Sequence, residues 1–419
     1  MPTDPGPVAQ SPPPALPLAP VAAGERLQAL DALRGIALLG ILLSNAPFFS
    51  APLADLGDGV DPALRGLDRW ATMAVHVAVR HKFWTVFSLL FGMGFAVMGE
   101  RAGAAGRDFR PLYLRRSFGL LAIGLAHAWL VWSGDILVTY AACAFLLYAL
   151  RGLGAATQWR LGLSLYAVPC AFLLLLAGLL ALPGVADGDP QAQARGAAER
   201  AQAVAAYAHG SYAEATAQRL REFVGLTLSS ASIMVPLALG LFLIGAGLAR
   251  SGVLADPAAH RGLWHRLLWG GLASGAALTA ASLAIDPAAY GARLSARTFL
   301  ASTLHMIGAL PLALSLVAAV VLSLARGWRW PRPFIAPGRI ALSLYLMQSL
   351  VGTWVFYGYG LGLWGRIAPA PLFAAAAGLF VLQLLLAQWW LRRFRFGPAE
   401  WLWRAFTYWR LPPWRAARA

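Results

Sequence analysis

Charge is what this chain of 419 residues has least of. Asp, Glu, Lys and Arg make up 12% of it, against about a quarter in a soluble globular chain. With 59% hydrophobic residues, too little polar surface is left to hold the fold in water, which excludes an ordinary soluble domain. Lysine is all but missing: Lys82 is the one lysine among 34 basic residues. Cysteine is scarce too. Cys143 and Cys170 both lie in apolar runs, which excludes a disulfide framework or thiolate metal site and leaves two small core residues. Alternation of apolar and polar residues is absent, which excludes a membrane β-barrel. No cleavable leader is expected, because the first apolar run stands behind a proline-rich polar stretch at 2–20 that reads as disordered.

What the chain does have is long apolar runs. About twenty such residues cross a bilayer as a helix, the structure that satisfies its own backbone in lipid. By that measure there are about ten spans, near 27–48, 83–99, 112–132, 135–151, 160–183, 223–249, 263–285, 298–325, 339–358 and 369–391. The expected fold is all-α, a polytopic helical bundle in one integral-membrane domain over 27–409, with tails at 1–26 and 410–419. An amphipathic stretch from Asp68 to Arg80 is expected to lie along the interface before the short second span.

The net charge of +16 follows from arginines flanking the spans. No basic stripe is interleaved with aromatics in the way nucleic-acid surfaces need, so the expected partner is the lipid bilayer and not nucleic acid. With both termini in the cytoplasm, 22 of the 34 basic residues fall on the cytoplasmic side and 11 outside, with Arg34 inside the first span. That asymmetry supports this orientation in a bacterial inner membrane. The longest outward connection, 185–222, reads as amphipathic from Ala201 to Glu222. There Tyr207, His209, Tyr212 and Glu214 either decorate a solvated helix or line an entrance. No internal repeat argues for inverted transporter halves.

Polar residues inside such spans are expensive and mark function or structural pairing. In the first span Asp31 and Arg34 stand three apart on one helix face. They read as an inter-helix ion pair or as an anion clamp, for which arginine is well shaped; Gly35 and Gly40 allow close packing and Asn45 adds a polar group. Lys82 sits at the mouth of the second span, either snorkelling to the interface or binding a ligand. His76 and His81 are five apart, off the register of a helical metal pair, and no metal site is expected. The sharpest pattern is His127 with Asp135, placed across a tight hairpin. Histidine is the usual base near neutral pH, and a carboxylate fixes its tautomer. Tyr345, Gln348 and Ser349 form a polar stripe that either glues helices or lines a cavity. Pro398, Glu400, Trp401, Trp403 and Arg404 read as a short interfacial helix.

Several of these blocks resemble the YeiB-like bacterial inner-membrane proteins: Leu30 to Asn45, Lys82-Phe83 with Leu90-Phe91-Gly92, and His127 with Gly134-Asp135-Ile136-Leu137. So do Gly338-Arg339-Ile340-Ala341-Leu342 with Tyr345 and Gln348-Ser349, Phe356-Tyr357-Gly358, and Gly397-Pro398 with Glu400 to Arg404. The resemblance runs from about 27 to 409. Ser343-Leu344 stands where that family usually has Thr-Asn, which argues against a polar role there, and His81 stands where it usually has no histidine. The family is one of unknown function, but its Asp-x-x-Arg-Gly opening is similar to that of membrane acyltransferases. That resemblance implies an acyl-CoA donor, such as acetyl-CoA, entering from the cytoplasm. Arg34 and Lys82 would serve the donor, and His127, oriented by Asp135, would deprotonate a hydroxyl or amine of a small-molecule, lipid or glycan acceptor. Asp31, Asn45, Tyr345, Gln348, Glu400 and Arg404 would be structural or line the cavity. The spans put Arg34 and His127 about 10–15 Å apart in depth, a gap an acyl-pantetheine arm can bridge. The alternative is a transporter of a small polar or lipidic molecule using Asp31, Arg34 and His127.

Overall fold

A computed structural model describes residues 28–52, 59–183, 190–287 and 295–416. The expected tail at 1–26 lies outside the described residues, as do the last three residues of the C-terminal tail. Among the described residues every regular element is helical, apart from an isolated bridge between Phe394 and Arg415. In order they are α1 (Gln28–Ser50), α2 (Gly66–Ala78), α3 (Lys82–Ala104), α4 (Phe109–Leu130), α5 (Leu137–Ala149), α6 (Ala155–Leu180) and α7 (Pro190–Val204). Then come α8 (Tyr212–Arg250), α9 (Arg261–Ile285), α10 (Ala296–Ala325), α11 (Ile335–Arg339), α12 (Ala341–Phe356), α13 (Pro369–Leu391) and α14 (Pro398–Tyr408).

Each of the ten apolar segments is a helix, but seven meet the length and apolarity needed to cross a bilayer, or eight if the bent α11–α12 pair counts. The shortfall has two causes. Helix α4 carries Arg110, Arg115 and Arg116 in its first eight residues. Helix α5 has 13 residues, about 20 Å at 1.5 Å per residue, short of a hydrocarbon core of about 30 Å.

Burial sorts the bundle into a centre and a rim. The spans of α8 and α10 are 67% buried, against 22% for α6 and 17% for α9. Leu163, Val168, Phe172, Leu175 and Leu179 stand exposed along α6, as a lipid-facing helix requires. The central contact is α3 against α8, where small residues let two backbones meet. A side chain on Gly92 would run into the Phe242 carbonyl, and one on Gly245 into the Leu89 carbonyl, so neither position admits a larger residue without separating the helices.

The connection between α6 and α8 differs from expectation. Ala201 to Glu222 is not one helix: α7 ends at Val204, a single π-helical turn spans Ala205–His209, and the chain restarts at Tyr212. The cause is local chemistry. Ser211 and Glu214 form a reciprocal capping box that starts a new helix, which then runs 39 residues through the bundle. Tyr207 is buried, and its hydroxyl donates to Glu222 at 2.7 Å, so it does not decorate a solvated face.

Candidate active site

Helices α4 and α5 are joined by a tight hairpin, and its polar residues meet there. Nδ1 of His127, in the last turn of α4, lies 2.7 Å from Oδ2 of Asp135. Both side chains are enclosed, at 1% and 0% exposure. Asp135 Oδ1 accepts from the Val138 amide at 2.9 Å, so the same carboxylate caps α5 and is held in place by it. An ionised carboxylate only accepts, so His127 Nδ1 carries the proton and Nε2 keeps the lone pair. That Nε2 is buried and has no hydrogen-bond partner. The ring is framed by Tyr345, centroid to centroid 5.2 Å, and by Trp132 at 6.4 Å.

The dyad stands against a cavity of about 960 Å³, at the upper end of small-molecule sites, roughly 300–1,000 Å³. Tyr345, Gly134, Ile136 and Leu137, the residues around the dyad, all line it. Its middle is apolar, with Leu38, Phe87, Leu90, Phe91 and Met234. One end carries five arginines, Arg34, Arg101, Arg116, Arg339 and Arg404, and two carboxylates, Asp31 and Glu400. Both carboxylates are engaged. Asp31 Oδ1 accepts from Arg34 Nη1 at 2.9 Å. Glu400 accepts from the Leu342 amide at 2.7 Å, the Ser343 amide at 3.1 Å and the Ser343 hydroxyl. Burial pushes the Glu400 carboxyl above the usual range, against these hydrogen bonds, which pull it down. Arg116 lies over the Trp403 indole, 3.6 Å from its centre.

The backbone around this end is pinned. Helices α11 and α12 meet at 79°, and the break frees the first amides of α12, which Glu400 of α14 caps from outside. Gly338 of α11 has no room for a side chain against the Asp31 carbonyl of α1, so the α1 polar pair and the break are set together.

The sequence-derived candidates divide. His127, Asp135 and Tyr345 come together; Asp31, Arg34, Glu400 and Arg404 line the arginine end, and Asn45 lines the opposite end. Gln348 does not line the cavity. It donates to Gln383 Oε1 of α13 at 2.8 Å and is buried, so that part of the stripe is glue. Lys82 does not snorkel: it is 4% exposed and lies 2.7 Å from His305 Nε2. Two positive charges at that distance would repel by about 6 kcal/mol at an effective dielectric near 20, so the pair holds at most one. Ser343, expected to lack a polar role, bonds Glu400 and accepts the Ala399 amide at 3.0 Å; its hydroxyl is enough. Sequence reasoning missed Arg101, Arg116 and Arg339, which read as ordinary flanking charge, and His305, a lone histidine in an apolar run.

Known proteins are similar to this chain over nearly its whole length. The family described as "Protein of unknown function (DUF418)" matches residues 248–410. The "Uncharacterized protein YxaH" of Bacillus subtilis (strain 168) is 34% identical, covering 93% of this chain and 96% of its own. The "Uncharacterized protein YeiB" of Escherichia coli (strain K12) is 31% identical, covering 91% and 96%. This chain belongs to the YeiB-like DUF418 family. An "Uncharacterized 39.9 kDa protein in amylase 3'region" of Bacillus acidopullulyticus is 27% identical over 93% of the chain. The family match covers α9 to α14, while the dyad lies ahead of it on α4 and the hairpin. The relatives span the whole cavity lining, whereas the DUF418 match includes Arg339, Glu400 and Arg404 of its arginine end but not Asp31, Arg34, Arg101 or Arg116.

Proposed function

We propose that this DUF418 chain is a transmembrane acyltransferase of the bacterial inner membrane, with both termini in the cytoplasm. The observation that carries the reading is one cavity with an arginine-rich end and, enclosed behind the lining residues Gly134, Ile136, Leu137 and Tyr345, a histidine whose Nε2 has no partner. In this reading acyl-CoA enters at the arginine end, which faces the cytoplasm. The arginines bind its phosphates, as guanidinium groups are shaped to do, and the apolar middle accepts the pantetheine arm. Burial gives these donors a lower dielectric in which to act.

His127 Nε2 takes the proton of an acceptor hydroxyl or amine as that oxygen or nitrogen attacks the thioester carbonyl. The C–S bond then breaks, and the imidazolium returns its proton to the thiolate, so coenzyme A leaves as the thiol. Asp135 holds the tautomer and stabilises the imidazolium in between. Lys82 has no part in donor binding, because its ammonium is engaged by His305 at 2.7 Å.

The test is transfer of label from radiolabelled acetyl-CoA, and from longer acyl-CoA donors, by the purified detergent-solubilised protein and by His127→Ala. Label transferred by the wild type and lost in the variant supports the reading; equal transfer by both ends it. One feature favours a second reading. The 79° break of α11–α12 is the kind of discontinuous span on which transporters build substrate sites. Substrate accumulation in sealed vesicles without acyl donor would favour that alternative.

A further inference from the structure

The end of the cavity away from the five arginines is also basic, with a different construction. Arg80 and His81 line it beside Ser44 and Asn45. Behind them Lys82 Nζ and His305 Nε2 are 2.7 Å apart, and the His76 ring stacks on His305 with centroids 4.3 Å apart and planes 18° from parallel. Lys82, His76 and His305 are 4%, 4% and 1% exposed. The three come from different elements: α2, the start of α3 and the middle of α10. His81 joins the two layers, since it lines the cavity and presents an edge contact to His305 at 5.9 Å.

The backbone supports the same reading. His81 has φ 62°, a left-handed conformation that a non-glycine residue keeps where its surroundings hold it there, often at ligand sites. Helix α3 starts at Lys82, so the positive end of its dipole faces the same place. Arg80 is held over the Phe48 ring at 5.4 Å, and Phe48 lines the cavity as well.

We propose that Arg80 and His81, backed by the Lys82–His305–His76 cluster, form a second anion site that binds a phosphate group. An arriving phosphate would meet a guanidinium and an imidazole at the wall, with the Lys82–His305 pair behind them. As an account of the acceptor this rests on the acyltransferase reading, and it names the acceptor class: a phosphate-bearing molecule, either a lipid headgroup or a soluble phosphate ester. The binding itself requires no turnover.

The experiment measures binding of radiolabelled inorganic phosphate to the detergent-purified protein, and of labelled phosphatidylglycerol to the protein in phosphatidylcholine nanodiscs. Both are repeated with an Arg80→Ala, His81→Ala double variant and with Arg160→Ala, an exposed arginine outside the cavity lining, as control. The expected result is a binding component weakened tenfold or more in the double variant and unchanged in Arg160→Ala. If free phosphate shows it, the ligand is a soluble phosphate; if only the lipid shows it, the ligand is a headgroup. Binding of neither probe, or binding unaffected by the double variant, overturns the proposal. The double variant leaves Lys82 and His305 themselves unchanged, and Lys82→Met tests the layer behind separately. Absence of acetyl transfer leaves the phosphate site standing. Absence of phosphate binding leaves the transferase reading standing with an uncharged acceptor.

Discussion

Two acid–base pairs, each close in sequence, line or adjoin one cavity and differ in almost every other respect. Asp31 and Arg34 lie on one face of α1 with side chains 10% and 30% exposed, while Asp135 and His127 bridge a hairpin at 0% and 1%. Arg34 is the more open partner of the first pair and lines the cavity, so its charge is presented to that space. The enclosed pair is the reverse. Its carboxylate is consumed by His127 and the Val138 amide, and its one unspent atom is His127 Nε2. One pair is arranged to offer a charge, the other to offer a lone pair.

The sharpest way to break the comparison is His127→Ala. Transfer of label is expected to fall by a factor of about 100 or more, the scale of a lost general base, while elution on gel filtration and acyl-CoA binding stay as in the wild type. Asp135→Asn is next: the amide still caps α5 but no longer fixes the tautomer. It should lower kcat about tenfold or more with KM for acyl-CoA unmoved, read from steady-state kinetics. Arg34→Ala should do the opposite, raising KM for the donor about tenfold, as expected for a lost charge-assisted hydrogen bond, at nearly constant kcat. Its melting temperature should stay within a few degrees of wild type. The smallest effect belongs to Asp31→Asn, for which less than a two-fold change in either constant is expected. A larger loss there would show that the α1 pair is a working unit like the other, and the contrast would fall.

Much of this was legible in the sequence because lipid imposes few solutions. A run such as 298–325 has no reading other than a helix, and α10 lies there. The His127–Asp135 contact could be anticipated because eight residues and a two-residue polar turn leave the hairpin little freedom. What could not be read was anything set by distant packing. Arg101 and Arg116 look like any arginines flanking a span, and only the meeting of α3, α4 and α14 turns them into a lining. His305 is 223 residues from Lys82, and no local pattern joins them. The single helix expected over Ala201 to Glu222 failed for the opposite reason: the Ser211–Glu214 capping signal was local and was overridden by the amphipathic period.

The cap that Glu400 places on α12 also has a consequence in time. The amides of Leu342 and Ser343 wait for an acceptor that lies 58 and 57 residues further along the chain. Synthesis runs from the N-terminus, so the bent span leaves the ribosome before its cap exists. Until then these donors face the protein interior unsatisfied, a state that costs about 1–3 kcal/mol per group. Helix α14 is therefore made after the bent span that it caps. A message ending just before residue 397 would release an unfinished substrate for membrane proteases, not a shorter working protein.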